Sequence, residues 1–121
     1  MEKVYEKIQK YKKLAVKKPR YFALIGDLYS DDGDFKTATI YYQKAVDNGV
    51  LAYTVLGDTW GYRSQYKKAF DVYTEGANKG EAECFARLGF CYETGYVKID
   101  IQKAIECYAK ASDLVVAAAA R

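Results

Sequence analysis

The sequence predicts an all-α protein, a right-handed α-α superhelix built as a solenoid of helix-turn-helix repeats, and three observations predict it. Tripeptides ending in glycine recur as Leu24-Ile25-Gly26, Val55-Leu56-Gly57 and Arg87-Leu88-Gly89, with the glycines stepped by 31 and 32 residues. Further columns keep that register: Tyr29, Trp60 and Tyr92 follow the glycines, and Ala38, Ala69 and Ala104 precede Tyr42, Tyr73 and Tyr108 by one helical turn. A column of small residues, Ala45, Gly76 and Ala111, completes each unit. A fixed period in this range marks stacked supersecondary units, each burying its apolar face only against its neighbours.

Within a unit the first helix, A, reads aromatic-x-x-apolar-Gly-x-x-aromatic and the second, B, reads small-x-x-x-Tyr-x-x-small. Both patterns follow the i, i+3, i+4, i+7 spacing of one helix face. Small residues let helix backbones approach, and a large aromatic one turn away fills the space beside them. Residues 2–17 join the same register, because Phe35, Tyr42 and Ala45 shifted back by one repeat fall on Val4, Tyr11 and Leu14. This segment is therefore expected to be a B helix without an A partner, an N-terminal half-repeat whose Val4, Ile8, Tyr11 and Leu14 pack on the first repeat. Pro19 ends it and opens the next helix. Helices are expected over 2–17, 20–31, 35–48, 51–62, 66–79, 81–94 and 100–116, with the last continuing into the alanine run. Asp31-Asp32-Gly33-Asp34, Asn48-Gly49, Lys79-Gly80 and Glu93-Thr94-Gly95 supply the turns, and Asp34 is expected to cap the helix it precedes.

The 121 residues are read as one domain: a half-repeat at 1–19, repeats at 20–50, 51–80 and 81–116, and a tail at 117–121. Half the residues are hydrophobic, yet no apolar run approaches the roughly 18 residues of a membrane span. The lysine-rich N-terminus lacks the apolar centre of an export signal, and three cysteines at no metal-type spacing suit reduced thiols, so a cytoplasmic location is expected. No histidine is present, which removes Ser-His-Asp and Cys-His chemistry and histidine metal sites together. The sequence predicts no enzyme activity, cofactor, metal or small-molecule substrate.

The columns over residues 20–115 resemble the tetratricopeptide consensus, and the tight B-to-A connections with the longer loop of the third unit, residues 93–104, resemble its Sel1-like branch. That resemblance implies a scaffold for protein-protein interaction, with a protein or peptide held in the concave groove. In the related families the groove is lined by helix A residues about a hundred degrees from the packing stripe. Here these are Arg20, Asp27, Ser30, Thr54, Asp58, Tyr62, Arg87, Phe90 and Glu93. Tetratricopeptide clamps for C-terminal carboxylates use asparagines where this chain has Asp27 and Asp58, so the groove is expected to prefer a basic segment. Asp27 and Asp58 would be its principal contacts, with Tyr62 and Phe90 as the adjoining apolar or cation-π surface. Cysteine-rich Sel1-like proteins pair thiols between helices, but Ser112 stands where a helix B cysteine would be needed.

Other features have simpler readings. Cys84 and Cys91 lie seven residues apart on one helix, about 10 Å along its axis, too far to pair. A Cys91 to Cys107 bridge is geometrically conceivable beside the commoner buried free thiol. Placing Gly33 sixth in a calcium loop puts Leu28 first and Thr39 twelfth, so two essential ligands are missing. The first twenty residues carry eight Lys/Arg against two Glu, which makes an anionic surface, nucleic acid or lipid, the alternative partner. The apolar stripe on the same helix disfavours that alternative. Finally, the C-terminal helix has no polar outer face. Its surface around Ile105 and Leu114 is expected to be covered by a second copy, another chain or further residues.

Overall fold

The computed structural model describes residues 2–120 and consists of seven helices: α1 (Glu2–Ala15), α2 (Arg20–Asp31), α3 (Phe35–Asp47), α4 (Tyr53–Tyr62), α5 (Tyr66–Asn78), α6 (Ala82–Thr94) and α7 (Ile101–Ala119). Each packs on the next, and α4 also touches α6, so α2, α4 and α6 line one layer and α1, α3, α5 and α7 the other. The fold is the expected all-α superhelix. Most helix ends fall within two residues of expectation, and α7 continues through the alanine run to Ala119. No helix among the described residues is long and apolar enough to cross a membrane.

The glycine and tyrosine columns meet in space. Tyr42 lies flat against Gly26, Tyr73 against Gly57 and Tyr108 against Gly89; a Cβ built on Gly26 would sit 2.6 Å from the Tyr42 ring. Each tyrosine hydroxyl then donates to a carboxylate on helix A: Tyr42 to Asp27 at 2.5 Å, Tyr73 to Asp58, and Tyr108 to Glu93 at 2.8 Å. The loop of the third hairpin is longer, and there the acid has moved from the residue after the glycine to one turn further on. Acid and tyrosine consequently stay 15 residues apart in all three hairpins. Burial first, and the facing carboxylate second, push the Tyr42 and Tyr73 phenols well above their ordinary range.

The helix starts are secured in two ways. Asp34 accepts from Thr37 N at 3.1 Å as expected, and that bond holds its carboxyl below the ordinary value. Helix α4 follows Ala52 and has no capping side chain of its own. Its cap comes from the next repeat: Glu81 Oε1 accepts from Tyr53 N at 3.2 Å, and Oε2 accepts from Thr54 N at 2.6 Å and from the Thr54 hydroxyl. The α1 stripe is less regular than expected. Ile8 and Ala15 are buried and Tyr11 and Leu14 half-buried, but Val4 is exposed. Val4 and Tyr5 instead rim a hollow of about 460 Å³ beside Leu28 and Tyr29, where α2 ends and offers no further surface.

These contacts set the expected cost of four substitutions. Gly57→Ala adds a Cβ inside the van der Waals envelope of the Tyr73 ring, so overpacking of about 1–3 kcal/mol should outweigh the roughly 1 kcal/mol of helix propensity gained. Gly61→Ala, whose new Cβ meets nothing nearer than the Tyr96 hydroxyl at 3.3 Å, should be neutral or mildly stabilising. Urea midpoints at equal m-value measure both. Glu81→Ala should lower stability by about 1–2 kcal/mol in the same assay, because two donors at the start of α4 lose their acceptor. Glu81→Gln, which keeps one acceptor oxygen, should lose less.

Candidate interaction surface

The inner layer of α2, α4 and α6 carries two hollows. One, of about 480 Å³, is walled by Asp58 and Tyr62 of α4, Ala86, Arg87 and Phe90 of α6, Tyr73, Tyr108 and Tyr96. The other, of about 520 Å³, is lined by Ala23 and Asp27 of α2, Val50, Leu51 and Ala52 before α4, Thr54 and Val55 of α4, and Glu81, Ala82 and Glu83 at the start of α6. The first is aromatic and the second acidic.

In the aromatic hollow, Arg87 grips Asp58 side-on with one edge of the guanidinium: Nε donates to Oδ1 at 2.9 Å and Nη2 to Oδ2 at 3.2 Å. The Tyr73 hydroxyl donates to the same carboxylate. The pair is partly buried and bidentate, the stronger form of ion pair, and the hydrogen bonds that Arg87 donates to Asp58 hold it firmly protonated. Tyr62 is 63% and Phe90 44% exposed. Phe90 meets Tyr96 edge-on at 5.7 Å between centroids, Tyr96 leans on Tyr66 at 4.6 Å, and Tyr62 leans on Phe35 at 5.0 Å. Tyr96 reaches this position because Gly95 takes a left-handed φ of 79° at the end of α6 and turns the long loop back towards α4 and α5.

The residues expected from sequence divide accordingly. Asp58, Tyr62, Arg87 and Phe90 come together in the aromatic hollow, and Asp27 and Thr54 in the acidic one. Thr54 is only 6% exposed, and its hydroxyl and amide are engaged by Glu81, so it backs the hollow instead of projecting into it. The charge of Asp58 is met by Arg87. Ser30 is half-buried and Glu93 is exposed and bound by Tyr108, and neither lines either hollow. Arg20 lies over the Tyr21 ring at 5.1 Å. Tyr96 and Glu81 were not expected. The length of the third loop was the available signal for Tyr96, whereas nothing local marks Glu81 as a cap for a helix some 28 residues earlier.

All three cysteines are free thiols in the structure, with no bond between Cys91 and Cys107. Burial pushes the Cys84 and Cys91 thiols up to about 12, and the Glu81 carboxylate 3.3 Å from Cys84 Sγ adds to the effect there. They behave as small core residues; Cys84 Sγ sits against the missing Cβ of Gly76.

Comparison with known proteins agrees with this architecture. No curated protein matches the chain. The Sel1 repeat model matches residues 21–50, covering α2 and α3, and residues 83–115, covering α6 and most of α7. Together the two matches span just over half of the sequence, with hairpin α4–α5 stacked between them. The chain therefore belongs to the Sel1 repeat family, whose helical hairpins are a non-catalytic scaffold type that mediates protein-protein interaction.

Proposed function

We propose that the layer of α2, α4 and α6 binds an extended segment of a partner protein, one that carries a lysine or arginine together with an apolar side chain. The observation that carries this reading is the recess of Tyr62, Phe90 and Tyr96. Large apolar groups left exposed together in a hollow beside a fixed charge pair are the usual anatomy of a binding surface. The apolar side chain is assigned to that recess. Asp27 takes the cation: it accepts from Tyr42 and forms no ion pair among the described residues, and exposed Glu83 lines the same hollow. The Asp58–Arg87 pair, already satisfied, forms the polar wall between the two.

The basic face of α1 is not favoured as the binding surface, since the hollow of about 350 Å³ that Lys13, Lys17 and Lys18 rim with Leu14 and Val16 holds no aromatic side chain. The free thiols support a reducing compartment, the cytoplasm.

The test is a titration of fluorescent peptides, basic-aromatic, acidic-aromatic and basic-polar, at low and high salt. Basic-aromatic peptides should bind best and weaken with salt. Asp27→Asn should weaken them by about fivefold, on the order of 1 kcal/mol for one charge-assisted bond. Phe90→Ala should weaken both aromatic peptides by more than about 1 kcal/mol at either salt concentration. Wild-type affinity in the Asp27→Asn/Phe90→Ala double variant, with an unchanged circular dichroism spectrum, would remove the assignment.

A further inference from the structure

The outer face of α7 departs from its counterparts in the other B helices. Thr39, Tyr42 and Val46 of α3 lie in the same register as Phe70, Tyr73 and Ala77 of α5 and as Ile105, Tyr108 and Ser112 of α7. Helix α4 packs on α3 and helix α6 packs on α5, and Thr39, Tyr42, Val46, Tyr73 and Ala77 are buried there, the two tyrosines also lying on the glycines of their own hairpins. Among the described residues no helix packs on the corresponding face of α7, and there Ile105 is 56% and Tyr108 39% exposed, with Ile101 and Val115 exposed on the same stripe. This face has the form of an inter-repeat seam with one side missing.

We propose that a second copy of the chain covers it, through two α7 helices packed antiparallel about a two-fold axis. Helices α2, α4 and α6 are each packed between neighbours already, so a second copy has no spare helix A to offer and presents α7 itself. The stripe Ile101, Ile105, Tyr108, Ser112, Val115, Ala119 advances by alternate steps of four and three residues, the 3.5-residue period of a two-helix seam. Antiparallel pairing centred near Lys110 sets Ile101 opposite Ala119, Ile105 opposite Val115 and Tyr108 opposite Ser112. The larger residue of each pair meets a smaller one, as a self-complementary interface requires. Charge does not oppose the contact, since Lys103 and Lys110 balance Glu106 and Asp113 on the same helix. The two surfaces share Tyr108, which also walls the aromatic hollow, but Ile105 and Val115 lie outside that hollow, so variants at those two positions let the groove reading and this one fail independently.

Sedimentation equilibrium of the full chain over a wide concentration range tests the idea. The apparent mass should rise from 13.7 kDa towards twice that value. Ile105→Glu alone and Val115→Lys alone should each remain monomeric, with helical circular dichroism unchanged. An equimolar mixture of the two should dimerise again, because the stated register sets the new carboxylate opposite the new ammonium. A wild-type chain that stays monomeric would overturn the proposal and leave the face to a different protein or to further repeats. Single variants that still dimerise would overturn it too, as would variants that lose dimerisation but are not restored by mixing.

Discussion

The contact on which the rest of the structure depends is a tyrosine ring lying on a glycine with its hydroxyl held by a carboxylate on the same helix. Removing the Cβ at Gly26, Gly57 and Gly89 lets the two helices of a hairpin close to the thickness of one aromatic ring. The bonds to Asp27, Asp58 and Glu93 then fix how far along the partner helix each ring sits. Packing alone would tolerate sliding, because a flat ring on a bare backbone has little to resist it. The hydrogen bond supplies the missing direction, most strongly at the buried Tyr42 and Tyr73, where such bonds are worth most, and less at the exposed Tyr108. In the third hairpin the longer loop alters the phase between the helices, and the acid changes position to follow the hydroxyl.

This arrangement explains which parts of the molecule could be read from its sequence. The recurring Gly, Tyr and Ala columns are packing residues with a period, so the architecture was legible before any coordinate was considered. Asp27 and Asp58 were legible as an equivalent pair, but equivalence alone does not distinguish an acid facing a ligand from one holding a tyrosine. Both roles put a carboxylate one residue after the glycine. Glu81 is harder still, since its task concerns backbone amides of a helix whose own start, Val50-Leu51-Ala52, offers no side-chain acceptor. The absence of a cap there was visible; its replacement from the following repeat was not. Tyr96 escaped for a related reason, as the position of a loop residue depends on one left-handed glycine and not on any periodicity.

For the interaction surface the consequence is a division of labour among groups of like charge. Asp58 spends both oxygens on Arg87 and Tyr73, which keeps the α4–α6 contact rigid and takes a charge out of play. Asp27, one repeat earlier, meets only its tyrosine in the observed bonds because α4 carries no arginine in the corresponding place. A single difference between repeats thus separates an acid held in an ion pair from one with no ion pair among the described residues.

The cap that Glu81 extends to α4 also bears on how the array comes apart. In a solenoid with purely nearest-neighbour stacking, a terminal hairpin can fray while the rest stays intact. Here the first residues of α6 carry the acceptors for the start of α4, so loosening the third hairpin strips the second of its N-terminal bonds at the same moment. The hairpins α4–α5 and α6–α7 are consequently expected to open as one cooperative unit, leaving little population of half-unravelled chains with their seams open to aggregation or proteolysis.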